Sequence, residues 1–461
     1  MEFSNPFAEH HHAPHDTQLF SAHDLSDAIE DIACEDHWDP QPPKPSELSD
    51  HGVISLSNTL SNRRIALLVC GGIAAMKAPL LARELRKHGA EVVAFVSEEA
   101  LRYVTVDALA WSTHNAVVQS LSARAEHLGD GQNFDAYLLA PATYNTLNKF
   151  ALGIADTLIT TVLASALGRV TQQQSAVLVA PTMHGSMHTP ILTENLERLQ
   201  QWGVKVIPPR DAYGKHNLPD FDAIIYLLAR ELGGRPLSGL SVLVTGGPTP
   251  VPIDDIRYLT NRFTGRLSYA IVRAFYLAGA QVHWVLGKSQ FTPPSWLSCY
   301  AVDNFEEYVE TLRHLAAEQG CQVGVFSAAV ADYTLKKPYA GKHPSGETWP
   351  LTLSKTPKVI DQMHQAFPEM YKISFKLESG IPHDELLKIA RQRLQKHSQL
   401  VVANQVSSDR SHKEDESTDS QTAWLVSEHT AHPFVGKAAI AQGIVDHVKT
   451  AYFNDLLPRL V

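Results

Sequence analysis

Two places in this 461-residue sequence set a glycine pair directly behind an apolar run: Val69-Cys70-Gly71-Gly72 and Val244-Thr245-Gly246-Gly247. A glycine pair between a strand and a helix lets backbone N–H groups approach a phosphate at the positive helix end. Neither string is a full GxGxxG, and neither carries the GK[ST] of a Walker loop, so each reads equally as a phosphate cradle or as a tight turn. A third string, LLAPATYNTLN, places Thr143, Asn145, Thr146 and Asn148 behind a buried strand at a helix start. These hydrogen-bonding groups face a ligand edge, and the same positions suit helix capping by Thr143 or Asn145. Lys342 lies in a glycine-flanked loop, AGKHPSG, where a solvated surface lysine is the ordinary reading.

Such residues work only if strands deliver them to one edge. RIALLVCGG is an apolar strand running into glycine, followed by a helical pattern that stops at Gly89. AEVVAFVS, FDAYLLAPAT and SAVLVAPTM read as further strands ending in polar turns. Strand and helix alternating at this spacing predict right-handed βαβ units and a doubly wound parallel sheet. Ligands then bind at the carboxyl ends of the strands, where Gly71, Gly72, Ser97, Thr143 and His184 gather. The pattern restarts after Arg230–Gly239 with LSVLVTGG, a helix through Tyr269–Gly279, AQVHWVLG, CQVGVFSAAVAD, KISFKLES and LVVAN. The expected class is α/β, with two doubly wound Rossmann-like parallel-sheet domains behind a disordered acidic tail. The boundaries expected are a tail over 1–61, a first domain over 62–229, a linker over 230–238 and a second domain over 239–461. Both halves opening on strand–Gly–Gly is common in nucleotide folds and is weak evidence for a repeat.

Charge separates the tail from the rest. Residues 1–60 hold twelve acids and one base, Lys44, while the whole chain carries a net charge of −10. The body is therefore close to neutral, which excludes nucleic acid as the main partner. No apolar stretch approaches the roughly 20 residues of a membrane span, and the first residues lack the basic-then-apolar order of a signal peptide. The His-rich string HHHAPH suits metal capture or a solvated tail. Cys34, Cys70, Cys299 and Cys321 form no CxxC pair, so a disulfide framework or zinc site is not expected and a reducing cytoplasm is the simplest setting. Ser407–Thr422 reads as a mobile hydrophilic loop.

Residues 62–205 resemble the flavoprotein domain of phosphopantothenoylcysteine decarboxylases, a family of homo-oligomeric flavin-containing cysteine decarboxylases. The resemblance rests on CGGIAAMKAP, His127 with Asp135 and LLAPATYNT, GIADTL and APTM, in that order. It implies an FMN site lined by Gly72, Ile73, Ser97, Thr143 and Asn145, with His127 as the active-site histidine. FMN would accept a hydride from the cysteine moiety, giving a thioaldehyde that sheds CO2, with an imidazole handling a proton. The family's P-x-M-N motif, whose Asn holds the substrate carboxylate, reads Pro181-Thr182-Met183-His184 here, so His184 takes the substrate-binding place. The family's flap cysteine has no counterpart between Cys70 and Cys299.

Residues 238–452 resemble phosphopantothenate–cysteine ligases, through VLVTGGPTPVPIDDIRYLTNRFTGRLSYAIVRA, SAAVADY, Lys342, LTLSKTPKVI, ISFKLES and VVAN. The order of the two halves resembles the fused bifunctional enzyme of coenzyme A biosynthesis. The resemblance implies that 4′-phosphopantothenate is activated as an acyl-nucleotide before cysteine's amine attacks, with cations and Mg²⁺ stabilising the phosphoryl charge. Asn261 and Lys342 would be catalytic, with Arg257 nearby. Phe326, Ala328, Asp332, Pro357, Phe375 and Lys396 would bind nucleotide or substrate, although Lys396 suits a helix-end cation equally well. Arg262–Arg266 departs from the family's Ser-Ser-Gly-Lys turn, and Phe375–Glu378 is more like the eukaryotic ligases. CTP is favoured over ATP by the fused order, and no metal ligands are assigned. The expected partners are 4′-phosphopantothenate, cysteine and the nucleotide, in a homo-oligomer. Two alternatives stand beside the bifunctional enzyme: a ligase with a structural flavoprotein half, and a non-catalytic flavin-binding regulatory subunit.

Overall fold

The computed structural model describes residues 41–42, 45–128, 133–289, 292–346, 348–406 and 421–454. The acidic tail up to residue 40 and residues 407–420 of the loop expected over 407–422 lie outside the described residues, while Thr422, expected in that loop, opens a strand. The described residues fall into two units, one ending at Gly52 and one starting at Val53. In the first, the Gly52 N–H donates to the Ser49 carbonyl at 2.7 Å and closes a turn. The second holds both α/β halves.

In the first half the strands are β1 (Arg64–Val69), β2 (Glu91–Val96), β3 (Ala136–Ala142), β4 (Ala176–Pro181), β5 (Met183–His184), β6 (Lys205–Val206), β7 (Arg210–Ala212) and β8 (Lys215–Asn217). The helices are α1 (Ala78–Lys87), α2 (Val106–Thr113), α3 (Tyr144–Ala151), α4 (Leu158–Thr171), α5 (Pro190–Gln201) and α6 (Phe221–Leu232). Among the described residues, β2-β1-β3-β4-β6 form one parallel sheet. β1 reads as an unbroken apolar run because both of its faces are covered. Ile65, Leu67 and Val69 face one core and Ala66 and Leu68 the other. The chain turns from one side of β1 to the other between β2 and β3, so the switch point lies between the carboxyl ends of β1 and β3. β5, β8 and β7 make a separate antiparallel sheet just beyond β4.

Residues 53–61, expected to belong to the tail, pack on this half instead. Leu60 is fully buried, its N–H donates to the His88 carbonyl at 2.9 Å, and Ser57 Oγ lies 2.6 Å from His88 Nδ1. The expected linker is partly helical too. Arg230 lies in the last turn of α6, and its guanidinium donates to the carbonyls of Tyr276, Gly279 and Ala280 at 2.5–2.9 Å.

The second half contains β9 (Ser241–Gly246), β10 (Val251–Pro252), β11 (Tyr258–Leu259), β12 (Gln281–Leu286), β13 (Cys299–Ala301), β14 (Val323–Phe326), β15 (Tyr333–Leu335), β16 (Leu353–Lys355), β17 (Tyr371–Ser379), β18 (Leu400–Val406), β19 (Thr422–Val426) and β20 (Ala431–Val435). Its helices are α7 (Arg266–Leu277), α8 (Phe305–Glu318), α9 (Val359–Ala366), α10 (His383–His397) and α11 (Lys437–Phe453). The main sheet runs β13-β12-β9-β14-β17-β18-β19-β20, parallel through β18 and antiparallel thereafter. Its first six strands follow the doubly wound 3-2-1-4-5-6 order, with the switch point between β9 and β14. Both sheets are therefore the Rossmann-like parallel sheets expected. No helix among the described residues is long and apolar enough to cross a membrane.

Candidate active sites

At the first switch point, Gly71 and Gly72 leave β1 beside Thr143, which leaves β3. The two glycines differ. A Cβ on Gly71 would fall 2.3 Å from Glu99 Cβ and 2.9 Å from Glu99 C, so the close approach of the 3-10 turn Glu98–Arg102 demands glycine there. A Cβ on Gly72 would meet only Thr143 Cγ2, at 3.4 Å. That leaves open space for a ligand against an extended backbone (φ −160°, ψ 158°). Ile73, beside it, is 70% exposed. Ser97 follows β2, and its hydroxyl accepts from the Ala100 N–H at 3.2 Å. Asn145 is exposed in the first turn of α3.

The rest of the expected polar cluster turns inward. Thr143 sits at the N-cap of α3 without a side-chain cap; its Oγ1 lies 3.1 Å from Thr146 Oγ1. Thr146 in turn accepts from Cys70 Sγ at 3.2 Å. Burial pushes the Cys70 thiol up to about 11, so it is inert as a nucleophile. Asn148 accepts from Asn195 at 2.7 Å and ties α3 to α5. Thr146 and Asn148 are thus structural.

His127 is not brought to this edge within one chain. Its turn, Glu126–Leu128, is fixed by Arg169 in the last turn of α4, which donates to the Leu128 carbonyl at 2.7 Å and also grips Asn133. Asn133 precedes β3, so this anchor lies at the far end of that strand from Thr143, a span of roughly 20 Å for seven residues. His127 Nδ1 is buried there without a hydrogen-bond partner.

His184 is exposed at the end of β5, opposite Lys215 of the hairpin. The Ser186 N–H donates to its Nδ1 at 3.2 Å, which places the neutral ring's proton on Nε2. The hairpin carries groups that sequence reasoning missed. Asp211 Oδ1 lies 2.5 Å from His216 Nδ1, and His216 Nε2 lies 2.8 Å from His188 Nδ1. His188 Nε2 reaches Thr193 at 3.1 Å, so this chain of side chains fastens the hairpin to α5. The histidines were visible in sequence, but their alignment follows from β7–β8 pairing.

At the second switch point the ends of β9 and β14 are laced together. The Ala328 N–H donates to Thr245 Oγ1 at 3.1 Å, Ala329 N–H to the Gly247 carbonyl at 3.0 Å, and Ala331 N–H to Thr249 Oγ1 at 2.9 Å. The Gly246–Gly247 pair does not open a helix directly, contrary to the simple strand–Gly–Gly–helix reading. The chain first makes the β10–β11 hairpin, and α7 starts only at Arg266. Its N-cap, Gly265 (φ 82°), then comes back to 3.6 Å between its Cβ position and Gly247 N.

Asn261 Nδ2 donates to the Ala329 carbonyl at 2.9 Å, beside the Phe326–Ala328 backbone. Asp332 forms an ion pair with Lys358 at 2.5 Å, and its carbonyl accepts from the Thr356 N–H at 3.0 Å, which brings Pro357 alongside. Phe375 lies one residue past the level of Phe326, which pairs with Ser374, and packs half-buried on the second core. Arg257 bonds Asp254 at 2.8 Å and the His343 carbonyl at 2.6 Å, next to exposed Lys342. Desolvation pushes the Asp254 carboxyl up, but N–H donors from Ile256, Arg257 and His343 and the Arg257 side chain outweigh it and hold it at about 2.

Lys396 stands apart. It lies in the last turn of α10, which runs back from the carboxyl end of β17 toward the start of β18. Its charge therefore favours its own helix end at the edge away from Asn261, and the expectation of a nucleotide contact is not met within this chain.

Residues 53–233 match the flavoprotein family, and residues 237–452 match the family described as DNA/pantothenate metabolism flavoprotein C-terminal domain. The coenzyme A biosynthesis bifunctional protein CoaBC of Thermococcus kodakarensis is 37% identical over 355 residues, covering 76% of this chain and 86% of its own. The chain belongs to the bifunctional coenzyme A biosynthesis proteins. The CoaBC proteins of Methanocaldococcus jannaschii and Bacillus subtilis are 28% and 30% identical over 397 and 367 residues, covering 85% and 75% of this chain and 95% and 87% of theirs. Among solved structures, a DNA/pantothenate metabolism flavoprotein from Streptococcus pneumoniae matches with a TM-score of 0.41 at 27% identity, covering 46% of this chain and 99% of its own. This bifunctional coenzyme A biosynthesis protein joins a flavoprotein half, matched over 53–233, to a DNA/pantothenate metabolism flavoprotein C-terminal half, matched over 237–452.

Proposed function

We propose that the chain ligates cysteine to 4′-phosphopantothenate at the second sheet edge, with CTP rather than ATP, and decarboxylates the product at the first with FMN. The observation that carries this reading is the presence of two separate switch points, each lined by residues the two resemblances name. The boundaries proposed for the halves are 53–232 and 239–461, the first starting ahead of residue 62 because Leu60 packs in its core and ending past residue 229 because its last helix runs to Leu232. The open space at Gly72 suits a planar ligand with hydrogen-bonding edges, held by Gly72, Ile73, Ser97, Thr143 and Asn145. When bound there, FMN supplies hydride acceptance and return. His184 offers its Nε2–H to the substrate carboxylate. His127, anchored away from this edge and with an orphaned nitrogen, serves the site of a second copy of the chain, which makes a homo-oligomer part of the proposal.

In the ligase half, Lys342 and Arg257 meet the negative charge that develops as the acyl-nucleotide forms and reacts. Asn261 orients the acyl group beside Ala328, while Phe326, Asp332, Pro357 and Phe375 hold the nucleotide. Among the described residues no cluster of three or more acids, histidines or cysteines would hold a resident ion, so Mg²⁺ enters with the nucleotide phosphates. The setting proposed is the cytoplasm. Pyrophosphate release with CTP and ATP compared side by side, and mass spectrometry of flavin extracted from the protein, test the reading. Release dependent on 4′-phosphopantothenate and CTP together with extracted FMN supports it; release with neither nucleotide refutes the ligase part, and absence of flavin refutes the other.

A further inference from the structure

Lys342 has an unusual setting for a lysine on a surface loop: its neighbours are fastened and its own side chain is exposed. The loop runs beside Ile253–Arg257 as a short irregular ladder. Tyr339 N–H donates to the Ile253 carbonyl at 2.9 Å, and Gly341 N–H to Asp255 Oδ2 at 3.1 Å. The His343 N–H donates to Asp254 Oδ2 at 3.1 Å, while the His343 carbonyl accepts from Arg257 at 2.6 Å. Both peptide groups of His343 are thereby fixed. Its ring stacks on Trp349 with centroids 3.9 Å apart and planes within 6°, and the Arg257 guanidinium lies 5.4 Å from the Trp349 ring.

The common member is Asp254. Its side chain is fully buried, and both oxygens only accept. Oδ1 takes the Ile256 and Arg257 N–H groups at 2.9 and 2.7 Å; Oδ2 takes Arg257 Nε at 3.0 Å and His343 N–H. One carboxylate thus holds the hairpin turn, the arginine side chain and the lysine loop together. We propose that Asp254 is a positioning residue for ligation, which presents Arg257 and Lys342 to the acyl phosphate as one preassembled unit. The inference rests on the ligase reading above. It adds that the two cations are oriented before substrate arrives, so that little ordering remains for the chemical step.

Asp254→Asn is the sharp test, because every contact of the carboxylate is to a donor. The amide has one acceptor oxygen, and either orientation sets its NH2 against N–H groups. The expected result is a fall in kcat of about 100-fold with the KM for nucleotide changed less than about threefold, as for loss of orientation rather than of binding. Trypsin should cleave the ligand-free full chain after Lys342 about tenfold faster than in the wild type, in proportion to the open loop. On a Lys342→Gln background the same change should cost less than about threefold, because residues acting through one another are not additive. Trp349→Ala loosens the loop without touching the buried carboxylate and should cost about tenfold in kcat at unchanged Tm. Equal losses on both backgrounds, or unchanged cleavage after Lys342, would overturn the proposal. If Asp254→Asn fails to fold, the Trp349→Ala variant decides: wild-type kcat and cleavage would sink the idea. A wild-type chain inactive with either nucleotide would instead sink the ligase reading, while the trypsin comparison still judges the brace.

Discussion

Gly71 and Gly72 are neighbours in sequence but make opposite demands on the fold, and substituting each separates structure from site. An alanine methyl at Gly71 would overlap Glu99 Cβ at 2.3 Å and backbone carbon at 2.9 Å, so the turn Glu98–Arg102 must move. Overpacking of this kind costs about 1–3 kcal/mol. For a half of this size, 2–4 °C per kcal/mol gives a Tm drop of roughly 2–12 °C. At Gly72 the added methyl meets one methyl at 3.4 Å, ordinary van der Waals contact. Gly72→Ala should therefore change stability by no more than about 0.5 kcal/mol. Gly72→Val should also fold, but its branches enter the space proposed for flavin. Weakening of flavin binding by tenfold or more is expected, about 1.4 kcal/mol. Thermal unfolding followed by circular dichroism and flavin titration of the stripped protein read the two effects separately. A Gly72→Val chain with wild-type flavin affinity, or a Gly71→Ala chain with an unchanged Tm, would refute the reasoning.

Lys342→Gln removes an exposed cation, so Tm should stay within about 2 °C while ligation falls about 100- to 1,000-fold, as for loss of one group aimed at developing charge; calorimetry beside steady-state kinetics checks both. His127→Asn should abolish decarboxylation and leave ligation intact, and co-expression with Gly72→Val chains should restore part of the decarboxylation if sites are shared between copies; no recovery in mixed oligomers contradicts the shared site. Lys372 is fully buried, donates to the Pro368 and Met370 carbonyls, and is pushed down to about 8 by burial. Its unfolded form binds the proton up to about pH 10.4, so the unfolded state holds more protons between about pH 8 and 10 and stability should rise with pH there. Lys372→Met should remove that slope in urea titrations across the window, and an unchanged slope would refute the assignment.

Much of the frame was legible because its strands are apolar on both faces. RIALLV, AVLVAP and VLVTG could scarcely be anything but buried parallel strands, and each ends where a polar or glycine turn begins. The sites were less legible because sequence shows which residues follow a strand, not which way they turn. Thr146 and Asn148 share a string with Thr143 and Asn145 yet bond inward to Cys70 and Asn195. Lys396 looks like a nucleotide cation until α10 carries it back to the other edge. Asp254 stood in a quoted string with no role, since its four hydrogen-bond donors come partly from a loop nearly ninety residues away. The His188–His216–Asp211 chain depends on hairpin register, which two-residue strands do not announce. Residues 53–61 read as tail by composition, but Leu60 fills the first core.

The central claim is that one chain performs both steps. Purified protein given 4′-phosphopantothenate, cysteine, Mg²⁺ and CTP or ATP, with products followed by mass spectrometry and flavin absorbance recorded on the same sample, tests it directly. The account predicts that phosphopantothenoylcysteine forms first and is then converted to phosphopantetheine with loss of CO2. Phosphopantothenoylcysteine accumulating without CO2 loss would contradict it and leave a ligase with a silent flavoprotein half.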